Sequence, residues 1–193
     1  IAAAVKALST EDLTAFFPTI VYTGTQFGNW NTPFEAIEAL KGHPLVKGHV
    51  RVYPPAVIGS PTFWWQLCGR YNYQLLEDFG FYTPCLGCHL YFHAIRIPLA
   101  VELGCSNVIA GEREAHDERI KLNQLGVSLD SYIKLFEEFD LRLYMPLRSI
   151  SKGSEITGIL GSDWKEGENQ LQCGLSKNYV WKNGKVVYTE NSI

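Results

Sequence analysis

Four short runs rich in β-branched and aromatic residues recur along this chain, with segments of helical periodicity between them. They are TIVYT at 19–23, the stretch 49–53, SNVIA at 106–110 and LRLYM at 141–145. A strand pattern that gives way each time to a helix pattern, and only then to the next strand, restricts the fold to βα units. Such units build a mainly parallel sheet covered by helices on both faces, so an α/β fold is expected, a three-layer α/β/α sandwich of Rossmann-like type. The helical segments carry their own punctuation. Residues 1–8 are alanine-rich. Thr32, Pro33 and Glu35 read as a capping box opening a helix that stops at Gly42. Ser60 and Pro61 open another, in which Trp64, Leu67, Cys68, Tyr71 and Leu75 repeat at helical spacing until Gly80. The apolar stretch from Pro84 to Leu103 is kinked or restarted at Pro98 and ends at Gly104. Ser128 caps a helix carrying Leu129, Tyr132, Ile133 and Phe136. The tail departs from this rhythm: residues 179–182 and 185–188 flank Asn183-Gly184, a two-residue hairpin signal.

In open parallel sheets, ligands sit beyond the carboxyl ends of the strands. That rule selects the segments 23–30, 54–60, 111–117 and 146–151 as the walls of one cleft. A chain of 193 residues suits one medium domain, here 1–160, with a small C-terminal extension at 161–193. The formal net charge of −3 supplies no general field for drawing in nucleic acid. A large RNA partner would need a basic surface from another subunit or from a homodimer. No uninterrupted apolar run reaches the length of a membrane span. Ile1 is not a methionine, and IAAAVKAL reads as helix interior with no cap before it, as though residues preceded it.

The chain has five cysteines: Cys68, Cys85, Cys88, Cys105 and Cys173. The odd count and the spacing do not form a small secreted disulfide framework, so a reducing, cytoplasmic setting is inferred. Cys68 and Cys105 lie in apolar surroundings and read as small core residues. Cys85-Leu86-Gly87-Cys88 has metal-ligand spacing, with the glycine expected to permit a tight turn between the thiols. A pair is an incomplete shell, and Cys173, in the polar segment EGENQLQCGLS, is the best third thiol. Three thiolates with one open corner suit a [4Fe–4S] cluster; zinc with His89 or His93 as fourth ligand is the rival. CLGCH is also the attachment sequence of a c-type haem, which would make the chain an electron carrier. A non-catalytic metal- or nucleotide-binding module is a third option. The loop GEREAHD at 111–117 follows a strand and supplies Glu112, Arg113, Glu114, His116 and Asp117, a set able to hold phosphate and magnesium together or simply a solvated turn. His43 and His49 read as ordinary surface or strand residues.

Taken in order, the pair Cys85-x-x-Cys88, then Arg96, Leu99, Ala100 and Gly104, the strand and loop at 108–113, and Pro146-Leu147, Lys152 and Glu155-Ile156 resemble the PP-loop ATP pyrophosphatases. These belong to the adenine nucleotide alpha-hydrolase-like (HUP) proteins, and the closest resemblance is to the iron–sulfur-dependent tRNA thiolation enzymes. The spacing from Cys88 to Cys173 is similar to that family's distance to its third cluster cysteine. The resemblance implies an ATP- and magnesium-dependent sulfurtransferase: ATP adenylates a substrate carbonyl, and sulfur then displaces AMP. The acceptor would be a tRNA base or a small metabolite. It implies that Thr23 and Gly24 lie near the adenine, that Gly111 borders the nucleotide, and that Cys85, Cys88 and Cys173 hold the metal. The family's Ser-Gly-Gly-x-Asp-Ser phosphate loop is absent; it would belong immediately before a helix like residues 1–8. GERE also stands where many relatives have glycine-histidine and paired aspartates.

Overall fold

The computed structural model describes residues 1–80, 83–116, 119–161, 170–175, 179–181 and 186–187. Its framework is a set of short parallel pairings, each bridged by a helix. Strand β1 (Ala15–Phe16) pairs with β4 (Arg51–Val52), and β2 (Thr19–Tyr22) pairs with β5 (Ala56–Gly59) in the register Ile20↔Val57. Both crossovers contain α2 (Thr32–Gly42). Further on, β6 (Asn107–Ile109) pairs in parallel with β8 (Arg142–Tyr144), bridged by α7 (Gly126–Glu137). Parallel neighbours require such crossovers, so the alternating sequence pattern becomes an α/β fold built from short sheets.

Three apolar clusters hold these units. One joins Ile97 and Ala100 of α6 (Arg96–Glu102) to Leu129, Tyr132 and Phe136 of α7 and to Leu143 of β8. A second packs Ala2 and Ala3 of α1 (Ala2–Leu8) against Leu147, Ile150 and Ile156 of α8 (Gly153–Leu160). A third sets Val5 against Leu40 and Val46. The alanines of α1 are therefore close-packing residues, as well as good helix formers.

Several boundaries differ from the sequence expectation. The segment after Pro54-Pro55 is β5, not loop, because its alternating half-buried residues find the exposed edge of β2. The single helix expected from Ser60 to Gly80 is broken into α3 (Pro61–Leu67), a 3-10 turn at Gly69–Tyr71 and α4 (Asn72–Phe79). Cys68 leaves helical geometry at φ −121° and ψ −67°, next to a glycine that gives the helix little reason to continue. Ser60 does cap α3, its hydroxyl accepting from Phe63 N. The capping box at Thr32 does not form, because Thr32 is already helical and Asn31 makes no side-chain cap bond. Ser128 likewise sits inside α7, its hydroxyl donating to Leu122 O at 2.6 Å. Pro98 falls in a fresh helix, α6, which follows α5 (Cys85–Ala94).

The segment after α8 returns to the body twice. Strand β9 (Gln172–Cys173) pairs antiparallel with β3 (Gln26–Phe27). Strand β10 (Tyr179–Trp181) pairs with β11 (Val186–Val187), giving the expected hairpin pairing, and also with β7 (Arg119–Ile120). The Asn183-Gly184 turn lies outside the described residues, as does Asp117. Among the described residues, no helix is long and apolar enough to cross a membrane.

Candidate metal centre

Helix α5 carries most of the chemistry, and its position is set by one buried phenol. The Tyr91 hydroxyl accepts from Ser60 N at 2.7 Å and donates to Tyr22 O at 3.0 Å. It therefore pins the helix to the carboxyl ends of both β2 and β5. Gly87 fixes how closely α5 meets the end of α3: a Cβ there would lie 2.4 Å from Leu67 O and 2.8 Å from Cys68 Cα. The glycine of CLGC is thus needed for helix–helix contact, and not for the turn that the spacing suggested, since both cysteines are helical. Helical periodicity places Cys85, Cys88 and His89 on one face, with His93 a further turn along from His89.

Cys173 is brought to this helix by the β3–β9 pairing. Gln26 opposes Cys173 in register, Gly174 N donates to Thr25 O at 2.9 Å, and the Thr25 hydroxyl lies 3.2 Å from Cys173 Sγ. Leu175 N donates to Cys173 Sγ at 3.4 Å, while the Cys85 thiol lies 3.9 Å from Leu175 O. Cys173 therefore lies near enough to Cys85 and Cys88 for its charge to raise the pKa of both. Cys68 joins them: its thiol donates to Pro84 O at 3.2 Å, and it is fully buried. Burial pushes Cys68 and Cys85 up to about 12 and Cys88 up to about 11, and charge on the neighbouring thiols adds to each rise. The Trp64 indole, donating to Cys88 Sγ at 3.4 Å, works against that rise. Raised chiefly by burial, these thiols are protonated at neutral pH in the metal-free protein.

Spacing bears on which metal fits. Sulfurs on one tetrahedral zinc, bound at about 2.3 Å, sit about 3.8 Å apart. Among the described residues, no three cysteine sulfurs all lie within 4.8 Å of one another. A cluster whose cysteines bind different irons accommodates wider ligand separations than a single zinc ion does.

The other residues selected from the sequence fall beside this helix. Thr23 is buried at the end of β2, its hydroxyl bonded to Thr25 Oγ1 at 2.7 Å and Gln26 Oε1 at 2.6 Å. Gly24 follows at φ +81°, a left-handed conformation that suits glycine, in the loop that reaches Cys173. Gly111, past β6, faces Ala3 of α1. Arg113 is buried and donates to Ala115 O and Ser151 O at 3.3 and 3.2 Å. His116 Nε2 lies 3.0 Å from Arg113 O. Glu112, Arg113 and His116 of the charged loop are therefore folded inward, while Glu114 is exposed and pairs with Arg148.

One protein found by comparison is the "Uncharacterized protein MJ0009" of Methanocaldococcus jannaschii, 36% identical over 194 residues that span all of this chain and 70% of that protein. The chain belongs to the MJ0009 family. No family model and no solved structure matches it.

Sequence reasoning missed one constellation. Glu112 Oε1 lies 2.9 Å from His89 Nδ1 and 3.1 Å from His93 Nε2, and Gln124 Nε2 donates to Glu112 Oε2. Burial pushes the Glu112 carboxyl up, but the charge and hydrogen bonds of His89 and His93 more than reverse this and hold it well below the usual carboxylate range. Burial lowers the pKa of His93, favouring the neutral ring. The result is an ionised carboxylate receiving nitrogen donors. The usable signal was the histidine pair at i and i+4 on an apolar helix; the glutamate partner, more than a turn of sequence away in a loop, gave none.

Proposed function

We propose that this protein is an ATP-dependent sulfurtransferase of the PP-loop type, with a [4Fe–4S] cluster held by Cys85, Cys88 and Cys173. The observation that carries this reading is the return of Cys173, through the β3–β9 pairing, to the pair on α5 and to the loop at the end of β2. In a Rossmann-like three-layer arrangement that loop, with Thr23 and Gly24, and the loop after β6, with Gly111, would border the nucleotide. Arg113 and Glu112 stand in the same loop as Gly111, and magnesium would accompany ATP.

The reaction is redox-neutral. A carbonyl oxygen of the acceptor, a tRNA base or a small metabolite, attacks the α-phosphorus of ATP and pyrophosphate leaves. Inorganic sulfide then attacks the activated carbon, and the oxygen departs with AMP as the carbon–sulfur bond forms and a proton is released. The cluster, when bound, supplies an iron with no cysteine ligand where sulfide can reside. The chain's own residues hold the thiol-bearing helix and Cys173 in place. Tyr91 ties α5 to both strand ends, Thr25 orients the Cys173 thiol, and the half-buried Trp64 donates to Cys88. Full-length protein purified without oxygen should be brown and should convert ATP to AMP and pyrophosphate in the presence of sulfide and acceptor. Colourless protein that binds ATP without AMP release would refute this reading, and a haem absorption surviving denaturation would replace it with the electron carrier.

Cys68 favours one second reading. With it the site holds four thiols, a closed shell that would serve structure and not chemistry.

A further inference from the structure

The sulfurtransferase reading gives His89 and His93 no role and only sets Glu112 in the loop beside Gly111, yet the geometry of the three is that of a ligand set. Both imidazoles leave one helix at i and i+4, while the carboxylate arrives from the loop after β6. Their ligand atoms, His89 Nδ1, His93 Nε2 and Glu112 Oε1, all lie within 4.8 Å of one another. Two of those separations are 2.9 and 3.1 Å. An ion bound at about 2.0–2.1 Å to tetrahedral nitrogen and oxygen ligands holds them about 3.3 Å apart, so these two separations need only a small expansion to admit it.

The supporting residues fit this use. Gln124 occupies Glu112 Oε2 and leaves Oε1 to face the imidazoles. The His93 ring is 2% exposed, and its buried Nδ1 has no hydrogen-bond partner in the structure. Its direction is therefore set by packing, at 4.8 Å from the Tyr132 ring and 6.4 Å from Phe136, which aims Nε2 at the carboxylate. The nearby Arg96 is engaged elsewhere, donating to Thr19 Oγ1 at 2.8 Å and Phe92 O at 2.6 Å. His89 is the partly open member, with 24% of its side chain exposed, and gives the ion a way in.

We infer that His89, His93 and Glu112 bind one divalent transition-metal ion of the zinc or ferrous class, separate from the thiol site on the same helix. Two imidazoles and one carboxylate suit these metals better than magnesium. Three protein ligands leave a position open for water or for a carbonyl or phosphoryl oxygen. Cys88 and His89 are consecutive on the helix, so the two sites are neighbours, but no residue belongs to both ligand sets.

The test isolates this site from the thiols. The full-length protein carrying C68S, C85S, C88S and C173S is titrated with Co²⁺ and then challenged with Zn²⁺. One cobalt per chain is expected, with ligand-field absorption of a low-coordinate ion and no sulfur charge-transfer band. H89A and E112Q, added singly, are expected to weaken binding at least tenfold, and metal-free melting curves show whether each variant is folded. Absence of cobalt binding in the folded serine variant, or binding indifferent to H89A and E112Q, overturns the inference. If the serine variant does not fold, metal counting on the otherwise unaltered protein decides: H89A must lose one zinc or iron equivalent, and an unchanged count overturns the inference. The cluster reading is unaffected either way, since it is read from the iron that depends on Cys173.

Discussion

Replacing Gly87 by alanine tests whether helix contact, and not turn formation, requires that residue. In an exposed helix, glycine to alanine gains about 1 kcal/mol of helix propensity. Here the new Cβ would lie 2.4 Å from Leu67 O, 2.8 Å from Cys68 Cα and 3.2 Å from Cys68 Cβ. Two of these are backbone atoms and cannot swing aside. Restoring even a 3.0 Å approach to the carbonyl requires α5 and the end of α3 to part by at least about 0.6 Å, against the Tyr91 bonds that hold α5 in place. Overpacking of this kind costs about 1–3 kcal/mol after relaxation, and more where backbone must move. We expect a net loss of about 1–3 kcal/mol, which for a chain of this size lowers Tm by roughly 2–10 °C. The melt is followed by circular dichroism on full-length protein. The same displacement shifts Cys85 and Cys88 relative to Cys68 and Cys173, so metal content should fall with it. A Tm that is unchanged or raised would refute the reasoning and show the glycine to be an ordinary helical residue.

Tyr91→Phe removes the group that serves Ser60 N and Tyr22 O, and should cost about 1–3 kcal/mol in a denaturant titration; a value near zero would show that α5 is not held by this phenol. Arg142→Ala loses an exposed ion pair with Glu11 at 3.1 Å and should cost less than about 1 kcal/mol in the same assay. Cys68, with its pKa pushed up to about 12 chiefly by burial, should be the last thiol alkylated by iodoacetamide in native metal-free protein at pH 8, as read by mass spectrometry. The same shift has a sign for stability. The folded state keeps the Cys68 proton that the unfolded chain gives up near pH 9, so its contribution is intact below pH 9 and is lost as pH rises toward 12. Cys68→Ala should flatten that alkaline decline in chemical denaturation.

The alternation of strand and helix was legible in the sequence because each element announces itself locally. TIVYT became β2 within a residue, and residues 1–8 and 32–42 became helices. Non-local effects were not legible. Strand β5 exists because β2 offers it an edge, despite the prolines just before it. The break at Cys68 falls where Gly87 of α5 packs against Leu67 O and Cys68 Cα, a contact between distant segments. Cys85 and Cys88 were readable from spacing, and Cys173 from its polar surroundings. Cys68 was read as core, and it is buried, but no local pattern could show that it is buried among the other thiols. The inward folding of Glu112 and Arg113 was hidden for a similar reason: a run of charges reads as solvated until the histidines and carbonyls that receive it are placed in space.

The convergence of three distant thiols on one cluster is tested most directly by counting iron and acid-labile sulfide in anaerobically purified full-length protein, side by side with its Cys173→Ser variant. About four of each per chain are expected, with a marked loss in the variant. One zinc per chain in place of iron, or iron indifferent to Cys173, would contradict it.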